Sequence, residues 1–273
     1  MRTPAEKGNL FRDLHHRDRA FIIPNPWDVG SARLLQMLGF EALATTSAGF
    51  AFSLGKPDGA IDRDTMIAHA AALAAATDLP VSADLENCYA DDPSAVAETV
   101  RLAVKTGLAG CSIEDIAARA QHEPYEISLA KDRVRAAVEV AHAQPFPFTL
   151  TARAENFIIG RPDLRDTIAR LQAFQEAGAD VLFAPGLKSR EDIATVARSV
   201  DRPINVIMGL QGVQLSLAEL SELGVKRVSV GSALSRVALG AFLRAAREMR
   251  EHGTFTFAEE AVKYQDITAM LAA

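Results

Sequence analysis

Short apolar runs alternate along the chain with longer stretches in which apolar residues recur every three or four positions, the pattern of β-strands followed by amphipathic helices. Strands are predicted at Phe21–Pro24, Ala42–Thr46, Pro80–Asp84, Gly110–Glu114, Phe148–Arg153, Val181–Pro185, Ile204–Met208 and Arg227–Val230. Helix punctuation agrees with the periodicity. Ser31 is expected to begin the helix that stops at Gly39, Asp64 to cap the Ala-rich stretch after it, and Pro93 to open the helix that ends at Gly107. Another runs from Leu164 to Ala177 and stops at Gly178.

Eight consecutive β-α units fit a closed (β/α)8 TIM barrel, one α/β domain over residues 1–273, better than an open doubly wound sheet. No G-x-G-x-x-G follows the first strand, so a dinucleotide-binding sheet lacks its signature. A further helix pattern from about Ala258 has no place in the barrel and is expected to pack on a partner subunit.

Hydrophobic residues at 49% and charged residues at 23% describe an ordinary globular chain. A formal net charge of −6 gives no reason to expect nucleic acid or an anionic membrane as partner, which leaves a small molecule. Two cysteines, Cys88 and Cys111, suit a reducing compartment, and no apolar stretch reaches the ~18 residues of a membrane span; a cytoplasmic location is expected.

Several strands end abruptly in charge, and in an α/β barrel the strand C-termini share one rim. Asp84 and Glu86, Glu114 and Asp115, and Arg153 and Glu155 would therefore meet there, with Asn25, Thr46, Ser47 and Asn205. Converging carboxylates are the hard-oxygen ligands preferred by Mg²⁺ or Mn²⁺, and Asp84 is the leading candidate. If the strand persists to Glu86, period-2 geometry places both its carboxylates on one side, and Glu114 completes the cluster. The competing reading of these acids is a set of rim salt bridges. Arg153 is placed either to clamp an anionic oxygen or to pair with Glu86, Glu114 or Glu155. Thr46, Ser47 and Ala48 offer hydroxyls and backbone N–H groups suited to a carboxylate. Asp58, in the turn-rich loop 50–59, is either an acid/base or a turn residue. The histidines show no zinc spacing, and Cys88 reads as a packing residue before a reactive thiol.

Taken in order, Asn25-Pro26-Trp27-Asp28, Thr46-Ser47-Ala48, Ser53-Leu54-Gly55 with Asp58, Ser82-Ala83-Asp84-Leu85-Glu86-Asn87-Cys88-Tyr89, Ile113-Glu114-Asp115 and Ala152-Arg153-Ala154-Glu155 resemble the isocitrate lyase/phosphoenolpyruvate mutase superfamily. The resemblance implies a barrel whose final helix is exchanged between subunits in dimers of dimers, and Mg²⁺ chelated by a 2-oxo acid or its enolate. It also implies residue roles. Asp84 would hold the metal, and Glu86 and Glu114 would hold it through water. Thr46, Ser47 and Ala48 would hold the substrate carboxylate, and Arg153 its oxygens. Asn205 would line the pocket, and Asp58 would ride on a gating loop.

Two departures from the family pattern stand out. Its Asp-x-Asp-x-Gly-Tyr-Gly motif reads Asp84-Leu85-Glu86-Asn87-Cys88-Tyr89-Ala90 here, which lengthens one acid and removes two glycines, with an altered loop backbone expected. The Lys-(Lys/Arg)-Cys-Gly-His loop of isocitrate and methylisocitrate lyases is replaced by Ile116–Tyr125, so those two substrates are disfavoured. The resulting expectation is a Mg²⁺-dependent lyase that breaks a C–C bond next to a 2-oxo acid, by retro-aldol cleavage or oxaloacetate-type decarboxylation. A phosphoenolpyruvate/phosphonopyruvate mutase or phosphonopyruvate hydrolase is the alternative, and a non-catalytic 2-oxo acid binder the third reading.

Overall fold

In a computed structural model, which describes residues 2–117 and 123–272, the chain forms eight parallel strands with helices between them. The strands are β1 (Phe21–Ile23), β2 (Leu43–Ala44), β3 (Val81–Asp84), β4 (Gly110–Glu114), β5 (Thr149–Arg153), β6 (Val181–Phe183), β7 (Ile204–Ile207) and β8 (Arg227–Ser229). The helices are α1 (Pro4–His15), α2 (Val29–Met37), α3 (Ser47–Ser53), α4 (Arg63–Ala76), α5 (Pro93–Val104), α6 (Ile127–His142), α7 (Leu164–Glu176), α8 (Arg190–Arg198), α9 (Leu217–Glu222), α10 (Ala233–His252) and α11 (Tyr264–Ala272).

The sheet runs β1-β8-β7-β6-β5-β4-β3-β2, so sequential strands are neighbours and β8 returns to β1, a nearly closed TIM barrel. The remaining seam, between β1 and β2, is drawn together by Ala44 N–H donating to Pro24 O at 3.1 Å. Asn25 clamps the same corner. Its amide donates to Thr45 O at 3.0 Å, and its Oδ1 accepts from Val230 N and Gly231 N at 2.9 and 3.0 Å. Asn25 therefore ties the barrel top together while standing at the rim, where it lines a cavity.

The central strands are buried on both faces, which is why they read as continuous apolar runs. Gly110 permits the close approach of β4 to β5: a Cβ there would lie 2.3 Å from Thr149 O. α1, which the periodicity did not predict, places Phe11 and Leu14 against Phe21 and Ile23 at the N-terminal end of the barrel. Two caps also differ from expectation. Asp28, not Ser31, caps α2, with Ser31 returning a bond to the Asp28 backbone, and Asp62, not Asp64, caps α4. In each helix the acid just before the first turn meets N–H groups that the residue further in cannot reach.

The final helix α11 lies beside α2 of its own chain. Large apolar side chains nevertheless remain exposed on α10 and beyond, among them Val237, Phe242, Phe255 and Tyr264. No helix among the described residues is long and apolar enough to cross a membrane.

Candidate active site

Residues from all eight strands and from loops after them line one cavity of about 200 Å³ at the C-terminal face of the barrel. It brings together Thr46, Ser47, Ala48, Asp58, Asp84, Glu114, Arg153 and Asn205. Of the other residues expected at the rim, Asn25 also lines the cavity, whereas Glu86, Asp115 and Glu155 do not.

Arg153, the last residue of β5, organises the cavity. Its Nη1 lies 3.1 Å from both Asp84 Oδ1 and Glu114 Oε1, and its Nε lies 2.7 Å from Glu155 Oε1. The register explains the meeting, since Glu114 and Arg153 are direct neighbours across β4 and β5. Burial opposes the guanidinium charge, but Glu114, Glu155 and Asp84 outweigh it and raise its pKa above the ordinary value. Burial also raises the Glu155 carboxyl, with Arg153 pulling against it. Phe183 covers the guanidinium, its ring centroid 5.0 Å from Cζ. Arg153 thus pairs with acids, as one sequence reading had it, and also faces the cavity.

Asp84 is held from two sides. Its N–H donates to Thr45 Oγ1 at 2.8 Å, and its Oδ2 accepts from Ser47 N–H at 3.0 Å. That second bond comes from α3, a helix where the sequence suggested a turn-rich loop from residue 50. Thr46 caps α3 by accepting from Gly49 N–H at 3.2 Å. Asp58, beyond α3, is exposed at the cavity mouth and accepts from Ser47 Oγ at 3.4 Å.

The extension of β3 to Glu86 does not occur. β3 stops at Asp84, and Glu86 adopts φ +52°, which breaks the alternation and turns it toward a neighbouring pocket with Gly59, Ile61 and Tyr89. Glu114 borders both pockets. The missing glycines have not removed the left-handed turn either, because Cys88 and Tyr89 adopt φ +59° and +58°. The buried Arg133 of α6 holds this loop in place, donating to Asn87 O at 2.5 Å, Ala90 O at 2.9 Å and Glu114 O at 3.1 Å. Burial pushes the Cys88 thiol up to about 12, so it is a packing group and not a nucleophile.

Asp115 is structural. Its Oδ1 accepts from Glu155 N–H at 2.9 Å, and its Oδ2 lies 3.2 Å from Arg170 of α7. Burial raises its pKa, with those partners pulling it back.

Among the described residues no group of three His, Cys, Asp or Glu side chains is arranged to cage a metal. What remains, Asp84 and Glu114 in a polar cavity, still suits Mg²⁺, which keeps several waters and is bound through one or two carboxylates plus substrate oxygens.

Arg227 is a cavity residue that sequence reasoning missed. It opens β8, at the opposite end of its strand from the charges expected to share the rim. An arginine at the head of the apolar run Arg227–Val230 was the available signal. Residues 118–122, within the loop that replaces the lyase cysteine motif, lie outside the described residues.

Comparison with known proteins agrees with this architecture. The family described as phosphoenolpyruvate phosphomutase matches residues 11–250. A lyase/mutase-class structure from Burkholderia cenocepacia J2315 is 61% identical, covers 99% of this chain and 97% of its own, and superposes with a TM-score of 0.96. A protein of Corynebacterium glutamicum named as a probable 2-methylisocitrate lyase is 30% identical over 93% of this chain and 84% of its own length. Oxaloacetate acetylhydrolase in complex with its product oxalate is 25% identical, with a TM-score of 0.87 over 99% of this chain and 94% of that one. The chain belongs to the phosphoenolpyruvate phosphomutase family and, with it, to the isocitrate lyase/phosphoenolpyruvate mutase superfamily of carbon–carbon lyases and mutases.

Proposed function

We propose that this protein is a Mg²⁺-dependent lyase that cleaves a C–C bond adjacent to a 2-oxo acid. The observation that carries the reading is Arg153, a buried cation facing the cavity between Asp84 and Glu114. Asp84 would hold the ion, with Glu114 supporting it through water, and Mn²⁺ would substitute. Bound there, the ion would supply Lewis-acid polarisation of the 2-oxo acid oxygens.

The chain's own groups do the remainder. Thr46, Ser47 and Ala48 orient the substrate carboxylate, and Arg153 supplies fixed positive charge where enolate charge develops. Asn205 lines the wall of the cavity. In the retro-aldol direction the substrate hydroxyl gives up its proton and its O–H pair becomes the new carbonyl π bond. The electrons of the broken C–C bond pass to the departing fragment as an enolate, which then takes a proton. Asp58, at the cavity mouth, would receive the first proton and, with water, return one. The Lys-(Lys/Arg)-Cys-Gly-His loop is absent from the sequence, which favours substrates other than isocitrate and methylisocitrate.

A phosphonate mutase or hydrolase is the second reading, favoured by the family match and by the same charge-stabilising cavity, since phosphoryl transfer depends mainly on positioning and charge. One screen separates the two. The protein with Mg²⁺ is incubated with oxaloacetate, substituted malates, 4-hydroxy-2-oxo acids, phosphoenolpyruvate and phosphonopyruvate, and products are read by NMR. Release of a 2-oxo acid by C–C cleavage supports the lyase. Interconversion of P–C and P–O linkages, or phosphate release, sinks it in favour of the second reading. The exposed apolar face on α10 and α11 supports assembly as a homo-oligomer, a dimer of dimers. A cytoplasmic enzyme fits the cysteine usage.

A further inference from the structure

The floor of the cavity carries a second buried cation. Arg227 is 5% exposed and lines the same cavity as Asp84 and Arg153. Its Nε donates to Asn205 Oδ1 at 2.9 Å, its Nη2 to Thr151 Oγ1 at 3.0 Å, and its Nη1 reaches His15 Nε2 at 3.4 Å. Every one of these partners is neutral. His15 uses Nδ1 on Phe11 O at 2.7 Å, and burial and then Arg227 press its pKa down to about 3, which leaves Nε2 an acceptor. Among the described residues no carboxylate forms an ion pair with Arg227, and burial followed by the Arg153 charge presses it down to about 9. Arg153, by contrast, is surrounded by three acids.

A buried guanidinium without a counter-charge is costly, and proteins keep such groups where an anion arrives to compensate them. Two hydrogen-bonding directions of the fork, one on each Nη, are not taken up by the three partners above. Ser82, Ser112 and Ser229 line the cavity together with Arg227, among apolar residues such as Ile23, Ala83 and Ile207. Three serines and a guanidinium in a barrel interior form a donor-rich chamber, where bulky aliphatic layers are the usual filling.

We propose that Arg227, with Thr151 and the cavity-lining serines, forms a subsite for the second acid group of a dicarboxylic substrate. It lies on the floor of the barrel beneath Asp84 and Arg153. The inference rests on the proposed 2-oxo acid chemistry and narrows its substrate class: dicarboxylic acids of the oxaloacetate or substituted-malate type are bound at both ends, and monocarboxylic 2-oxo acids at one. Specificity then resides in the strand start of β8 as well as in the loops.

The test is calorimetric and needs no turnover. Binding of pyruvate and of 3,3-difluorooxaloacetate is measured in Mg²⁺ buffer for the full-length wild type, Arg227→Gln and Arg227→Lys. The wild type is expected to prefer the dicarboxylate by about tenfold or more, as an added charge-assisted contact requires. Arg227→Gln is expected to lose that preference while holding pyruvate within about threefold, and Arg227→Lys to retain part of it. Equal loss for both ligands would mark Arg227 as structural and overturn the subsite, and so would an unchanged preference in Arg227→Gln. A wild type that binds both ligands equally overturns it without recourse to any variant. If neither ligand binds the wild type, the 2-oxo acid reading itself fails, and the subsite with it.

Discussion

Arg153 Nη1 sits 3.1 Å from Asp84 Oδ1, and the same nitrogen is 3.1 Å from Glu114 Oε1. A single guanidinium thus ties together two carboxylates from two other strands, 69 residues away in sequence in the case of Asp84. The Glu114 side chain is 1% exposed, and Arg153 supplies counter-charge to it there.

Arg153→Ala removes both the clamp on substrate oxygens and the counter-charge of the acids. Its kcat/KM on whichever substrate the screen identifies is expected to fall by about 10²–10³, as for other preorganised charge-stabilising groups. Stability is expected to fall by about 3–5 kcal/mol in urea melts, because buried Glu114 and Glu155 lose their cation. Full activity in this variant would refute the assigned role.

Asp84→Asn keeps the shape and the Ser47 N–H bond but loses the charge. Mg²⁺ affinity measured by calorimetry is expected to drop by about tenfold or more, whereas Glu86→Gln, which faces the adjoining pocket, is expected to cost less. A larger loss for Glu86→Gln would reverse the order proposed for these acids.

Arg133→Met tests the staple on the 86–90 loop. Three backbone carbonyls lose a charged donor, and about 3 kcal/mol of destabilisation is expected from equilibrium unfolding. Wild-type stability in this variant would mean that the left-handed residues Glu86, Cys88 and Tyr89 hold their conformation without it.

His142 on α6 donates through Nε2 to Asp180 Oδ1 at 3.0 Å, and this hydrogen bond, against partial burial, raises the imidazole above its ordinary value of 6.5. A raised folded-state pKa contributes stability that is complete below the unfolded value and is lost as pH rises through the folded one. The Tm difference between wild type and His142→Gln is therefore expected to be larger at about pH 5.5 than at about pH 8.5. A pH-independent difference would show that the ion pair contributes nothing.

The exposed apolar side chains Val237 and Phe242, 70% and 66% accessible in the single chain, are expected to be covered by another copy. Light scattering should give a multiple of 29.3 kDa, and Val237→Asp combined with Phe242→Asp should shift it toward the single chain. A wild type that is monomeric at micromolar concentration would sink the assembly.

The eight strands, the barrel and the rim that collects Thr46, Ser47, Asp58, Asp84, Glu114, Arg153 and Asn205 were legible in the sequence, because parallel strands buried on both faces leave uninterrupted apolar runs that end in charge. Periodicity reports what each residue faces locally, and that is all it reports. It could not tell that β3 stops two residues before Glu86, nor that a left-handed φ would turn that carboxylate into the next pocket. Nor could it distinguish Asp115, spent on Arg170, from Glu114 one residue earlier, which meets Arg153. Arg227 lay at the wrong end of its strand for any motif to notice, and only closure of the barrel brings it beneath the site. Sequence order thus determined which charges this protein carries to one rim. The tertiary structure decided which of them face one another, because pairing of buried charges is set by strand register and side-chain reach across the barrel, and neither is written in any single segment.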